Sequence, residues 1–193
     1  MRARKDATDA TYNAIAQAAL DSVAAKRSLS VTLGSVAERA GVTVKTVLRH
    51  FGSRDALIDA AWSRALQDLV LERSAPPGDP EGALSVLIEH YELRGDMVLG
   101  LLAEEVEDPR ALEICDSGRL EHRGWVADVF GPELPAEAVE RSRLIDALVV
   151  ATDVYAWKLL RRDRGLSVDE VRDRMLLMTS ALLAVPAKSL EPQ

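Results

Sequence analysis

The stretch Thr32-Leu-Gly-Ser-Val-Ala-Glu-Arg-Ala-Gly41-Val-Thr-Val-Lys-Thr-Val-Leu-Arg-His-Phe-Gly-Ser-Arg54 decides the fold. Leu33, Val36, Ala37 and Ala40 recur at helical spacing and give a short helix one apolar side. Thr32 precedes them as an N-cap, its hydroxyl placed to accept an amide proton left free in the opening turn. Gly41 follows the last periodic residue, where a left-handed backbone is cheap only for glycine. Thr43 is a second N-cap, and Val44, Val47, Leu48 and Phe51 carry a second helix to Gly52. Two helices this short bury little surface alone, so their apolar sides must close on neighbours. The polar side of the second helix is left free. That is the logic of a helix-turn-helix, whose second helix enters the major groove of DNA.

Working outward, Thr11 to Lys26 reads as a first helix with Ile15, Ala18, Ala19 and Val23 at three- and four-residue steps, behind a polar, basic arm over residues 1–10. Ser53 caps a longer fourth helix, striped by Leu57, Ala61, Ala65 and Leu69, with Ile58, Trp62 and Leu66 beside them; it ends near Arg73. The prolines of the segment 74–80 stop it, because proline lacks the amide donor and restricts the residue before it. Beyond lie helical patterns over Glu81–Leu93, an interruption at Gly95, then Asp96–Glu107, and a helix opened by Asp108-Pro109 and closed by Gly131-Pro132. Pro135–Arg164 is expected as one long helix and Ser167 opens the last. No strand pair or internal repeat is found. The expectation is an all-α chain of about nine helices, with a three-helix helix-turn-helix domain over residues 1–52 and a larger helical domain over 53–193.

The long helix shows Leu144, Leu148, Ala151, Tyr155 and Leu159 on one side and Ile145, Val149, Thr152, Ala156 and Leu160 on the next. A helix apolar over so much of its circumference needs cover from several directions. With Met175, Met178 and Leu182 of the last helix, the first of these sides is expected to pair with its copy in a second chain as a four-helix bundle. The alternative is that both helices fill their own domain's core.

Composition sets the outer bounds. Hydrophobic residues make up 48% and charged residues 28% of the 193, an ordinary globular balance. One cysteine, Cys115, excludes an internal disulfide, no apolar signal core follows the basic N-terminus, and the run Met175–Ala187 is too short to span a bilayer. A cytoplasmic protein without membrane contact is expected. The net charge of −7 argues against a nucleic-acid partner until it is divided. Residues 1–74 hold 11 Lys/Arg and 8 Asp/Glu, a net of +3, so the acidity, −10, belongs to the remainder. Phosphate attraction follows the local field, within a Debye length of roughly 10 Å.

Residues 11–58 resemble the DNA-binding domain of TetR-type transcriptional regulators. The matching features are Val36-Ala37-Glu38-Arg39-Ala40-Gly41-Val42, Thr46-Val47-Leu48-Arg49-His50-Phe51 and Ser53-Arg54-Asp55-Ala56-Leu57. Thr152 to Arg162 is similar to the dimerisation helix of part of that family. The resemblance implies a homodimer on a palindromic operator of double-stranded DNA, most often a repressor, released by a small-molecule effector held in the C-terminal domain. It implies no cofactor and no catalysis. Carried over by position, Thr32 and Ser35 would touch phosphates; Thr43, Val44, Lys45 and Thr46, at the opening of the second helix, would face the groove; and Arg49, His50 and Arg54 would grip the backbone. Three positions depart from the family pattern: Leu48 stands where a tyrosine is usual, Gly34 interrupts the first short helix, and the turn after helix one lacks its glycine.

The sharper readings each have a plainer rival. Lys45 either reads a guanine edge or neutralises a phosphate. Arg2, Arg4 and Lys5 form either a minor-groove arm or a solvated tail. Trp62, Tyr91, Met97, Leu101, His122 and Trp125 are candidates for an effector pocket, though each alone reads as a core residue. The acidic balance of the C-terminal part would suit a cationic effector or simply a solvated surface. Cys115 and His122, seven residues apart, lack the short paired spacing of a zinc site, and none is expected. Two other function classes remain: a helical adaptor with a degenerate helix-turn-helix, and a small all-α enzyme, for which no acid/base or metal cluster is found.

Overall fold

The computed structural model describes residues 2–73 and 76–184, and among these it is helical throughout with no strand. The elements are α1 (Arg2–Lys26), α2 (Leu33–Arg39), α3 (Val44–Phe51), α4 (Arg54–Glu72), α5 (Pro80–Glu104), α6 (Pro109–Val129), a 3-10 turn (Gly131–Glu133), α7 (Ala138–Thr152), α8 (Val154–Lys158), a π-helical turn (Leu159–Asp163) and α9 (Val168–Leu183). No helix of the described residues is long and apolar enough to cross a membrane.

The caps form where the side chains predict them. Thr43 accepts from Thr46 at the start of α3, Ser53 accepts from the Ala56 amide at the start of α4, and Ser167 with Glu170 makes a capping box on α9. Gly41 and Gly52 both take positive φ, 66° and 78°, closing α2 and α3.

Three expectations change. The basic stretch 2–10 is the first part of α1 rather than a separate arm; the side chains of Arg2, Arg4 and Lys5 lie outside the described residues. Gly95 does not interrupt a helix, because α5 runs through it. A Cβ there would stand 2.5 Å from the Trp157 ring, so glycine serves close packing. The expected helix 135–164 breaks at Asp153, whose backbone is extended (ψ 156°) and whose carboxylate caps α8 by accepting from the Tyr155 amide at 2.8 Å. Aspartate competes for backbone partners in this way and favours caps over helix interiors.

The chain divides into two compact units: residues 1–71 with 96–114, and residues 72–95 with 115–193. In the first unit the core holds Ile15, Ala19, Val36, Val47, Leu57 and Leu101. The turn after α1, without its glycine, puts Arg27 at φ 53°. A left-handed backbone costs an L-residue roughly 1–2 kcal/mol. Its carbonyl packs where a Cβ on Gly100 would lie, 2.1 Å away, and its guanidinium pairs with Asp96 at 2.9 Å. The Leu29 amide donates to Glu104 at 2.9 Å, so the turn is tied down at three points. In the second unit Ala83, Val126, Val129, Phe130, Ile145 and Leu148 form one buried cluster.

Candidate functional site

The first candidate site is the surface of α2 and α3. At α2 the Ser35 amide donates to the Thr32 hydroxyl (3.1 Å), and the Thr32 amide donates to the Ser35 hydroxyl (3.2 Å). At α3 the Thr46 amide donates to the Thr43 hydroxyl at 3.2 Å. Val47 and Phe51 are buried, so the opposite face of α3 carries Val44, Lys45, Leu48 and Arg49 into solvent, with Thr46 half-buried. Among the described residues neither Lys45 nor Arg49 enters an ion pair, which leaves both charges available to an outside anion. His50 sits at the C-terminal end of α3, its ring 6.4 Å from both Tyr12 and Phe51. Tyr12, which sequence reasoning passed over, stacks on Phe51 at 4.4 Å and locks α1 to the end of α3.

Arg54 is expected on a DNA backbone; three of its five N–H donors are engaged inside the protein. Its Nε donates to the Val31 carbonyl at 2.7 Å, a second N–H donates to the Leu29 carbonyl, and a third pairs with Asp55 at 3.2 Å. It fastens the link between α1 and α2 to the start of α4.

Residues 15–61 match the sequence profile described as "Bacterial regulatory proteins, tetR family". The match covers the helix-turn-helix stretch and the start of the helix after it. The fold agrees with that of a transcriptional regulator from Rhodococcus sp. Rha1, with a TM-score of 0.67 and 20% identity over 91% of this chain and 99% of that one. A comparison with curated proteins returns no match.

The six residues expected to line an effector pocket divide between the units. Trp62, Met97 and Leu101 belong to the first, where Met97 and Leu101 are buried and the indole N–H of Trp62 has no acceptor among the described residues. Tyr91, His122 and Trp125 belong to the second, and there they gather around a residue the sequence reading placed only at the end of a helix, Arg73. The Arg73 guanidinium donates to His122 Nδ1 at 2.7 Å and lies over the Trp125 ring, 4.9 Å from its centroid. His122 therefore carries its proton on Nε2, by inference from the network, and passes it toward the Thr152 hydroxyl at 3.0 Å. Thr152 in turn donates to the Leu148 carbonyl at 2.8 Å. Its own carbonyl accepts from the Tyr91 hydroxyl at 3.0 Å, and the Trp125 indole donates to the Arg73 carbonyl at 3.0 Å.

Burial, with the nearby Arg73 charge, holds His122 down to about 3 and His90 down to about 4. His90 faces the Glu72 carboxylate at 3.5 Å, and that carboxylate is already held by Arg94 at 3.0 Å. Burial likewise pushes the Tyr91 phenol up and the Asp153 carboxyl up. A signal for Arg73 existed in the sequence. It falls in phase with the apolar stripe Leu57, Ala61, Ala65, Leu69, where a solvated arginine has no reason to be.

Of the residues expected at the dimer face, Leu148, Ala151 and Met175 are buried within the single chain, and Leu144, Met178 and Leu182 are half-buried. Tyr155 and Leu159 are exposed, 51% and 58%, together with Val150 and Leu177. The exposed apolar residues thus include Tyr155 and Leu159 of the expected face and add Val150 and Leu177. A helix apolar on two sides does not tell which side its own core takes.

Proposed function

We propose that this chain is a TetR-type transcriptional regulator that binds a palindromic operator as a homodimer, acts as a repressor and is released by a small-molecule effector. The observation that supports it best is the outward face of α3, where a capped N-terminus presents Val44, Lys45 and Thr46 and two unpaired cations follow at Lys45 and Arg49. Thr43 and Thr46 hold the helix end in place for the groove; Thr32 and Ser35 do the same at α2, where amides and hydroxyls suit phosphate. His50 and Arg49 join them on the backbone, while Arg54 supports the scaffold. The dimer would close through Tyr155, Leu159, Val150 and Leu177, setting two recognition helices one DNA turn, about 34–36 Å, apart. An effector that prefers another spacing would shift the population off DNA.

Selection from random duplexes at two salt concentrations tests this reading. A palindrome should be enriched, and its affinity should fall steeply with salt. Leu48, 39% exposed on the groove face and unable to donate a hydrogen bond, favours one rival, an adaptor that no longer reads DNA. Absence of an enriched palindrome would favour it. With an operator in hand, Lys45→Ala should relax preference at one base pair if Lys45 reads a base, and weaken all sequences alike if it holds phosphate.

A further inference from the structure

We propose that Arg73 is the anchor for an organic carboxylate, and that the effector of this regulator is therefore an anion rather than a cation. The inference rests on the ligand-release reading above and names its chemistry. Arg73 is only 7% exposed, yet among the described residues no carboxylate lies within ion-pairing distance of it. Its neighbours are a histidine held neutral by burial and by the Arg73 charge itself, an indole face and a phenol. Glu121 is the one carboxylate that influences it from a distance, and Glu121 is exposed. Glu72, the acidic group nearest in sequence, is taken by Arg94 and faces His90, and Asp153 is committed to the Tyr155 amide.

Buried charges are as a rule paired, because desolvation is costly and an unpaired ion has nothing to offset it. Here the offset is partial: one hydrogen bond to His122 and the Trp125 face. The Nε–H of Arg73 is buried with no acceptor among the described residues. Nε and an adjacent guanidinium N–H form the fork that a carboxylate fills with two parallel bonds. A carboxylate would complete the charge balance, and Trp125 offers a flat apolar body beside it. The excess of acidic residues across the C-terminal part belongs to its surface and does not describe this interior.

The test uses the full chain and four probes: benzoate and hexanoate, with benzamide and hexanamide as neutral shapes of the same size. Calorimetry and thermal melts are run on the free protein. The acids should bind saturably and raise Tm, with the amides at least about tenfold weaker. In Arg73→Met the acid preference should vanish while the unliganded protein melts at the same temperature or a few degrees higher, since an unpaired buried charge has been removed. Arg73→Lys should keep the preference at reduced affinity. Acids and amides binding alike, no response to either acid, or an Arg73→Met protein that melts many degrees lower would each overturn the proposal, the last by marking Arg73 as a fastening residue. A final arm adds the acids to the operator complex. Acids that bind without weakening that complex leave the site standing and remove the ligand-release reading. An operator that is bound while the acids do nothing has the opposite meaning.

Discussion

The helix-turn-helix and the cluster around Arg73 use their polar groups in opposite ways. In the first, each hydroxyl bonds within three residues of itself, as in Thr32 with Ser35 and Thr43 with Thr46, and the charges of Lys45 and Arg49 stand in solvent. In the second, Arg73, His122, Thr152 and Tyr91 bond across 49, 30 and 61 residues of chain, and all four are buried. Local bonding at a surface can be changed residue by residue with little effect on stability. A buried long-range network is less forgiving: removing His122, Thr152 or Tyr91 strands the group bonded to it. On the proposed reading the first serves recognition and the second ligand response, and the contrast can be broken experimentally.

The largest effect is expected where a residue assigned to the dimer face is buried within the single chain. Leu148→Glu places a carboxylate at a fully buried position and should unfold the chain, with no melting transition above room temperature by circular dichroism. Tyr155→Glu, on the exposed face, should leave Tm within a few degrees and give monomers in light scattering. Next comes acidity. His122 and His90 have native pKa values of about 3 and about 4, below the unfolded value, so the unfolded chain takes up more protons as pH falls through 6.5. Stability is complete above that value and drops toward pH 4, by about 1.4 kcal/mol per pH unit for each histidine. A melt at pH 5 should lie on the order of 10 °C below one at pH 7, and His122→Gln should flatten the profile.

Arg54→Met comes third. It should lower stability by about 1–3 kcal/mol through the lost bonds to Val31 and Leu29, and leave the salt dependence of operator binding unchanged. A slope reduced by about one would return Arg54 to the phosphates. The smallest effect is at Gly34, where a Cβ would meet only the Thr32 hydroxyl at an ordinary 3.7 Å. Gly34→Ala should stabilise by up to about 1 kcal/mol in chemical denaturation, with operator affinity intact.

The same contrast explains what was legible in the sequence. Helix starts and stops over residues 32–54 depend on neighbours three or four positions away, so Thr32, Gly41, Thr43 and Gly52 announce them. Gly95 and Asp153 were misread for the same reason. One is a glycine kept for a tryptophan 62 positions later, and the other is a cap inside what periodicity describes as one helix. Which side of α7 faces inward depends on partners distributed over the whole second unit, so Leu148 and Tyr155 look alike on a helical wheel and differ completely in the fold. Arg54 and Arg73 reverse each other's first appearance. The arginine that fits a DNA-contact pattern is tied to carbonyls, and the one at a helix end is the buried cation.

A guanidinium does not give up its proton in a folded protein, so the positive pole at Arg73 is present at every pH the fold survives. The histidines beside it are neutral across the same range. An acid recognised there would bind as its ionised form, and the pH at which the signal is lost would be set by the small molecule's own dissociation constant. The regulator would then count ionised molecules, leaving the acidity of the cell to act on the messenger instead of the receiver.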